Sequence, residues 1–327
     1  MYKIAKPLFF RCITPMHVGC GSDLGIVDLP IQREKHTGYP KIESSGIKGC
    51  IREYFETTSK DLKDEVNVHK LFGYDQDSIS KDHKDDIKNI FKDNLQYSGA
   101  IGFTDARILF FPVKSIKGVF AWVTCPQVLK KLKEELDIAN VSLTYTNKKV
   151  ESQKAYCTSE CELIVSNADE RDKEEYIILE EYQFEVEREK KDELKKLADK
   201  LQDYIGIDNL SKKLVIVNDN DFKDFVTMCT EVITRTKIDN ESGAVKDGAL
   251  FTQEYLPSET IMYDLVLFSP TFYPDNKDDE HLKRLTAEGV RDLFYKKGSM
   301  VIQIGSGSTI GKGIVKINTV NVNKVGE

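Results

Sequence analysis

The chain has 327 residues, of which 40% are hydrophobic and 31% are charged, and its formal net charge is −7. This composition suits a folded protein with a sizeable core and excludes a chain that is disordered throughout. No apolar run approaches the roughly 20 residues of a membrane-spanning helix, and Arg11 interrupts the first apolar run, which argues against a secretory signal. The acidic balance argues, taken alone, against nucleic-acid binding.

A first strand is predicted over residues 7–14 and is followed by a Gly- and Pro-rich stretch, 15–43, which we interpret as an ordered functional loop. Helical spacing then predicts a helix over residues 44–58, with Ser44 and Ser45 as candidate caps. Residues 59–96 are dense in Lys, Asp and Asn and predict a mobile, partly helical insertion.

Two strong strand patterns, 101–113 and 118–125, predict a hairpin, and Pro126 is placed to begin a helix. Residues 140–175 are polar without a clear period and predict a projecting, flexible element. Strands are then predicted over 176–186, 213–217, 248–255 and 260–269, and helices over 189–205, 222–232 and 279–296, before two last strands that flank a glycine-rich loop. This mixed order favours an α+β fold, an antiparallel sheet with helices on one side.

The net charge is distributed unevenly along the chain. Residues 160–200 hold 15 acidic and 8 basic side chains, an excess equal to that of the whole protein, whereas residues 1–60 hold 9 basic and 6 acidic ones. Local charge governs phosphate binding more than total charge does. We therefore expect a basic strip along residues 17–52, and an acidic segment that faces away from bound phosphate or towards another protein.

Seven cysteines are scattered along the chain. The odd number and wide spacing predict reduced thiols and a cytoplasmic protein. Cys157 and Cys161 are four residues apart, but no second Cys/His pair accompanies them, so we predict no protein-held metal site there.

Two segments, 19–25 and 305–311, share the spacing GxGxxxG. Both miss the dinucleotide fingerprint by one residue, and the second lacks the first glycine and the Ser or Thr of a P-loop. Glycines in this pattern either form tight turns or allow backbone N–H groups to approach phosphate oxygens.

Four blocks, 14–52, 104–124, 234–260 and 303–317, carry a resemblance to a known family. The motifs VDLPIQR, HTGYP and IKGCIR follow one another in the first block. The chain resembles the RAMP superfamily of CRISPR proteins, and within it the repeated backbone subunit of type III-B (Cmr) interference complexes. The blocks run from near one end of the chain to the other.

The resemblance implies one elaborated RAMP domain over residues 1–327, with a ferredoxin-like, RRM-related palm and an antiparallel sheet. Residues 59–96 would form a finger-like insertion and 140–175 a thumb-like projection. Copies would line up head to tail along a CRISPR RNA and cut complementary target RNA at regular intervals. The implied partners also include other Cmr subunits, among them the large polymerase-like subunit and the small helical subunit, and no membrane.

The family's cleavage residue is the aspartate of its VD-x-PIQR motif, which falls on Asp28. The same matching places its helix signature on Lys48 and Arg52, along the CRISPR RNA backbone. Its C-terminal glycine-rich loop, also along that backbone, falls on Gly305, Gly307, Gly311 and Lys312. The sequence departs from the family at Gly46, where relatives often have Ser, and at GSGS, where relatives often have two adjacent glycines.

RNA cleavage needs an activated 2′-OH, a stabilised phosphorane and a protonated leaving oxygen. Asp28 is a candidate as general base or as a ligand of a divalent cation, Mg²⁺ or Mn²⁺, held weakly and shared with RNA. Its alternative role is to cap a turn before Pro30. His17 is a candidate general acid or phosphate donor, or a structural histidine. Asp23 suits the glycine-rich turn.

Arg33, Lys48 and Arg52 supply cations without sequence readout, as expected when base pairing with a guide selects the target. Arg235 and Glu254 are predicted to form a structural internal ion pair. Two alternative functions stay open: a RAMP scaffold that binds RNA without cutting it, and the backbone subunit of the related type III-A (Csm) complex.

Overall fold

The computed structural model describes residues 2–23, 25–75, 79, 81–91, 98–146, 148–166, 174–188, 192–246, 249–272 and 283–319. The helices of these residues are α1 (Ser44–Thr57), α2 (Leu62–Phe72), α3 (Lys84–Phe91), α4 (Pro126–Ile138), α5 (Glu193–Ile205), α6 (Leu210–Lys213), α7 (Asp219–Met228) and α8 (Ala287–Tyr295). A short 3-10 helix spans Ser308–Ile310. Among these residues, no helix is both long and apolar enough to span a bilayer.

The strands are β1 (Ile4–Cys12), β2 (Lys41–Ile42), β3 (Ile101–Phe103), β4 (Ala106–Lys114), β5 (Phe120–Thr124), β6 (Lys154–Cys157), β7 (Val165–Ser166), β8 (Glu175–Leu179), β9 (Tyr182–Arg188), β10 (Leu214–Ile216), β11 (Glu231–Arg235), β12 (Phe251–Tyr255), β13 (Ile261–Phe268), β14 (Met300–Gln303) and β15 (Ile314–Thr319). Thirteen of them form one sheet in the order β14-β15-β1-β13-β4-β5-β10-β6-β9-β8-β7, with β2 on β4 and β3 on β13.

One end of this sheet has the strand order of a split βαβ fold. β15, β1, β13 and β4 are neighbours, and each adjacent pair is antiparallel. α1 lies in the connection from β1 to β4, and α8 in the connection from β13 to β14 and β15. This is the ferredoxin-like arrangement, and it confirms the predicted α+β class with an antiparallel palm.

Helices cover both faces of the palm, so the prediction of helices on one side is wrong. Phe268 of β13 packs on Phe294 of α8, which stacks on Phe55 of α1 at 5.6 Å between ring centroids. Phe9 of β1 packs on the other face against Tyr204 of α5. Because side chains alternate along a strand, a strand that is buried on both faces shows no simple alternation, and its pattern does not reveal the second layer.

Local predictions hold where a pattern is strong, as in α1, whose Ile47, Ile51 and Phe55 are buried. The predicted serine cap of α1 is wrong, because the N–H of Ser44 donates instead to Asp105 Oδ1 at 3.0 Å. The pattern over 176–186, predicted as one strand, is the hairpin β8–β9, which turns at Glu180 with φ 49°.

The segment predicted to project, 140–175, contributes β6 to the interior of the main sheet, between β10 and β9. A projection is therefore wrong for residues 154–157, while residues 147 and 167–173 lie outside the described part. In the insertion 59–96, α2 and α3 share a small apolar cluster of Val66, Ile87 and Phe91.

A separate two-stranded sheet, β11–β12, forms the base of what we call the arm, residues 231–255. Its pairing runs from Glu231 opposite Tyr255 to Arg235 opposite Phe251. Residues 231–232, predicted as the end of a helix, belong to β11, because α7 ends at Met228.

Asp264 of β13 is fully buried inside the palm. Neither of its carboxylate oxygens has a hydrogen-bond partner among the described residues. Burial, with a smaller contribution from Glu135, raises the pKa of Asp264 well above its usual value. The side chain is therefore held in its neutral, protonated form.

Candidate RNA-cleavage site

The loop segment 26–33 lies along β12 as a short additional extended segment. The N–H of Leu29 donates to Thr252 O, and the N–H of Glu254 donates to Leu29 O, both at 3.0 Å. The N–H of Ile31 donates to Glu254 Oε2 at 3.0 Å. Pro30 has no N–H, so no backbone donor is left unpaired between these bonds. The arm base therefore orders the segment that carries Asp28.

Asp28 is exposed, and Thr252 holds one of its two carboxylate oxygens. The N–H and the hydroxyl of Thr252 donate to Asp28 Oδ2 at 2.7 and 2.8 Å. The bond from the Thr252 N–H is the largest cause that holds the pKa of Asp28 below its usual value. The side chain is thus a carboxylate at neutral pH, which makes it a weaker base and a good acceptor or cation ligand.

Asp23 lies on the same loop, and its N–H donates to Asp28 O at 2.9 Å. This bond closes the glycine-rich turn between the two aspartates. The geometry agrees with the turn role predicted for Asp23.

His17 is 5% exposed and lies beneath the same segment. Its Nδ1 is 2.6 Å from Glu254 O. A carbonyl can only accept, so Nδ1 carries a proton and the neutral ring has Nε2 as its acceptor. Nε2 lies against Gly19, where an added Cβ would be 2.7 Å away. The predicted role of His17 as a general acid stays a prediction.

Glu254 holds three groups together in the interior of the site. It accepts from Ile31 N–H, from the hydroxyl of Thr230 at 2.8 Å, and from the guanidinium of Arg33. Arg33 also donates to the carbonyls of Gly38 and Val226, at 2.8 and 2.9 Å. The guanidinium is thus committed to contacts within the chain, and its predicted contact with RNA stays a prediction.

The predicted ion pair between Arg235 and Glu254 is wrong. Arg235 donates instead to the hydroxyl of Tyr255, and its guanidinium carbon lies 5.6 Å from the centre of that ring. Arg235 is opposite Phe251 in the ladder, so it shares a face with Phe251 and Tyr255 and not with Glu254. Glu254 points to the opposite face, where it meets Arg33.

The C-terminal glycine-rich loop packs directly on the loop that holds His17. Gly305 has φ 82°, and an added Cβ would lie 2.1 Å from His17 O. The N–H of Ser306 donates to His17 O at 3.0 Å, and the N–H of Gly313 donates to Pro15 O at 2.9 Å. The structure therefore packs the C-terminal glycine-rich loop on the start of the 15–43 loop, from which it is widely separated in the sequence.

The remaining glycines of this loop set its turns. Gly307 and Gly311, with φ 87° and 72°, flank the short 3-10 helix. Lys312 follows, and its ammonium lies 4.9 Å from the centre of the Tyr255 ring.

Helix α1 lies beside this loop, because Cys50 of α1 is next to the N–H of Gly305. Lys48 is half-buried, and burial, followed by the charge of Arg52, lowers its pKa. Arg52 donates to Glu56 Oε1 at 2.7 Å and lies 3.8 Å from Asp75. Lys48 has no acidic partner among the described residues, which leaves its ammonium available for an anion.

The expected basic strip along residues 17–52 is largely neutralised by ion pairs. Arg33 is paired with Glu254, Lys41 with Glu43 and Asp105, and Arg52 with Glu56. The acidic strands β8 and β9 lie near the edge of the main sheet opposite β14. Which surface the acidic segment faces in an assembly stays a prediction.

Metal-binding capacity at this site is limited to what Asp28 offers. Within the described ranges, no group of three or more His, Cys, Asp or Glu side chains is arranged to bind a metal ion. The two bonds from Thr252 go to Asp28 Oδ2, and Oδ1 accepts no hydrogen bond from another described residue, so one carboxylate oxygen is available. A single oxygen fits a cation that keeps its waters and shares RNA phosphates, as Mg²⁺ commonly does.

Sequence reasoning missed the part played by β12. Four consecutive residues of the TQEY run reach separate parts of the site: Thr252 binds Asp28, Gln253 donates to Ser306 Oγ at 3.2 Å, Glu254 holds Arg33, and Tyr255 contacts Arg235 and Lys312. The run lies inside a block that resembles the family, which was the only available signal.

Comparisons with known proteins agree with this architecture. A model of the RAMP superfamily matches residues 9–316. The CRISPR system Cmr endoribonuclease Cmr4 of Pyrococcus furiosus is 33% identical over 317 residues, covering 96% of this chain and 95% of the relative. The crystal structure of oligomeric Cmr4 from Pyrococcus furiosus superposes with a TM-score of 0.67 at 26% identity, covering 97% and 98% of the two chains. A chain of the type III-B Cmr-beta complex bound to cognate target RNA, 24% identical over 97% of each chain, shares the fold with a TM-score of 0.67.

Proposed function

Because this chain belongs to the RAMP superfamily, we propose that it is the backbone subunit of a type III-B (Cmr) CRISPR complex, which binds CRISPR RNA and cleaves complementary target RNA. The similarity to the Pyrococcus furiosus endoribonuclease spans nearly all of both chains and supports this activity. The observation in this chain that carries the proposal is Asp28, an exposed, ionised carboxylate fixed by two hydrogen bonds from Thr252.

Asp28 acts through Oδ1, since Oδ2 is engaged by Thr252. As the general base it orients the attacking ribose 2′-OH and accepts its proton, or, as an anion, it would hold a divalent cation at the scissile phosphate. Mg²⁺ or Mn²⁺, held by Asp28 and by RNA phosphates, would supply charge stabilisation for the phosphorane. His17 is the candidate proton donor to the leaving oxygen, through Nε2 of the doubly protonated ring, because its Nδ1 proton is bound to Glu254 O.

The CRISPR RNA backbone follows the surface formed by α1 and the C-terminal glycine-rich loop. Lys48 and Arg52 supply cations, and the loop of Gly305, Gly307, Gly311 and Lys312 brings backbone N–H groups and one more ammonium. Support comes from the contact between Cys50 and Gly305, which makes helix and loop one continuous surface. Specificity comes from base pairing with the guide.

Copies of the chain assemble head to tail, since a heterologous contact repeats into an open filament that suits a linear RNA. The oligomeric state of the Pyrococcus furiosus relative supports self-association. We include the large polymerase-like subunit and the small helical subunit among the partners. The described residues of 59–96 form the finger-like insertion, and the thumb-like element takes in the described residues of 140–175 outside the strands of the main sheet.

The test is target cleavage by the reconstituted complex with a matched guide and target. Asp28→Ala should abolish the evenly spaced products and leave RNA affinity unchanged, because Asp28 is an exposed anion that contributes no attraction to phosphate. Asp23→Asn, on the same loop, is the matched control and should cut normally.

Undiminished cleavage by Asp28→Ala would show that the catalytic assignment is wrong. A wild-type complex that binds target RNA but never cuts it, with Mg²⁺ or Mn²⁺ present, would instead identify a scaffold.

A further inference from the structure

We propose that Thr252 is the positioning residue for Asp28 in RNA cleavage, an inference that rests on the proposed catalytic role of Asp28. Thr252 is 224 residues away in the sequence and reaches Asp28 from the base of the arm. It touches the carboxylate through both its N–H and its hydroxyl, at 2.7 and 2.8 Å.

The direction of the hydroxyl proton follows from a third bond. The N–H of Asp28 donates to Thr252 Oγ1 at 3.0 Å, so this oxygen accepts from the backbone of the same residue whose side chain it binds. A hydroxyl has one proton to donate, and here its acceptor is Asp28 Oδ2. The three bonds form a closed, reciprocal set between two residues, which fixes the rotation of the Asp28 side chain.

Thr252 is itself fixed in strand β12, so the Asp28 side chain is positioned by a rigid element. It pairs with Thr234 across the β11–β12 ladder, and its carbonyl also holds the loop by accepting from Leu29 N–H at 3.0 Å. Asp28, by contrast, lies two residues from Ile26, which is 98% exposed and cannot restrain the loop through burial. The hydrogen bonds from Thr252 therefore order the exposed carboxylate of Asp28.

The consequence for the reaction is that the two carboxylate oxygens have different tasks. Oδ2 is saturated by Thr252, and Oδ1 is left to face the RNA. Precise placement of such a group matters because small displacements in a reacting geometry cost large factors in rate.

The experiment compares Thr252→Val with Thr252→Ser in the reconstituted complex. Valine keeps the size and the strand preference but removes the hydroxyl, whereas serine retains it. We expect Thr252→Val to cut about 10- to 100-fold more slowly, the range set by losing a hydrogen bond to a charged acceptor. Thr252→Ser should restore most of the rate. Thr234→Val, the same substitution on the paired strand, is the control and should behave as wild type.

The division between kcat and KM separates positioning from a general structural defect. The Thr252 hydroxyl contacts the Asp28 carboxylate at 2.8 Å, so its loss in Thr252→Val should lower kcat at saturating target RNA and leave KM unchanged, and Thr252→Ser should restore kcat. RNA affinity and thermal stability should stay near wild type. A Thr252→Val complex with wild-type kcat overturns the inference.

Asp28→Asn, measured in parallel, distinguishes this failure from failure of the proposed function. If Asp28→Asn is inactive while Thr252→Val is unaffected, only the positioning role falls. If Asp28→Asn cuts like wild type, both the catalytic assignment of Asp28 and the positioning role of Thr252 are refuted.

Discussion

Replacing Arg33 with methionine should strongly lower the free energy of unfolding. Any loss of RNA binding should be a consequence of this lower stability. The Arg33 side chain is 22% exposed and that of Glu254 is 7% exposed, so the ion pair is mostly removed from water. Methionine keeps the length of the side chain and removes its charge. The variant leaves the Glu254 carboxylate buried with only the Ile31 N–H and the Thr230 hydroxyl as donors.

The size of the effect follows from that burial. Removing one partner of a buried ion pair costs about 3–5 kcal/mol, a large share of the 5–15 kcal/mol that typically separates folded from unfolded states. Glu254→Gln should be similarly harmful, because it leaves the guanidinium without its charge partner. The double variant should cost less than the sum of the two, with a coupling energy of about 0.5–3 kcal/mol.

Urea denaturation of the wild type, the two single variants and the double variant measures this cycle. Arg188→Met is the matched control, since Arg188 pairs with Glu175 at the surface, with side chains 41% and 32% exposed. An exposed pair of this kind contributes about 0–1 kcal/mol. The coupling in the Arg33 cycle should also persist at high salt, because buried pairs are poorly screened.

The opposite pattern would refute the reasoning. If Arg33→Met is as stable as Arg188→Met, but binds RNA more weakly and with a shallower salt dependence, Arg33 is an RNA contact and the ion pair with Glu254 contributes little to the fold.

Two further predictions concern single groups. Asp264→Asn should flatten the pH dependence of unfolding. A pKa raised by burial gives stability at low pH that is lost as pH rises from the ordinary pKa of Asp to the raised pKa of Asp264, at about 1.4 kcal/mol per pH unit within that window. Urea titrations at pH 5, 6, 7 and 8 test this, and an unchanged slope in Asp264→Asn would contradict it. Lys48→Met should reduce the slope of log affinity for RNA against log salt by about one, whereas Lys41→Met, whose ammonium pairs with Glu43 and Asp105, should leave it unchanged. Equal slopes in wild type and Lys48→Met would exclude a phosphate contact.

Local patterns in the sequence correctly predicted α1 and the hairpin of β4 and β5. The spacing of Ile47, Ile51 and Phe55 predicted α1, and the two strand runs before Pro126 predicted the hairpin of β4 and β5. The prediction of α1 succeeds because one apolar face determines its period, whereas β4 and β5 are buried on both faces and are recognised by their apolar, β-forming runs.

The contacts that build the site could not be predicted in the same way. Thr252 and Asp28 are 224 residues apart, and Asp105 reaches the N-terminus of α1 from 61 residues away. The error over Arg235 has a more specific cause. Residues 231–232 were predicted as helix, so the pairing of β11 with β12, which puts Arg235 and Glu254 on opposite faces, was not recognised.

The packing of the C-terminal glycine-rich loop on the 15–43 loop also determines how late during translation the site can form. The Thr14 hydroxyl accepts a hydrogen bond from Ile314 N–H at 2.9 Å, across a sequence separation of 300 residues. Contacts of such long range form late, after the entropy of closing a very long loop has been overcome. A growing chain on the ribosome therefore carries Asp28 for most of translation without the C-terminal glycine-rich loop that packs on Pro15 and His17.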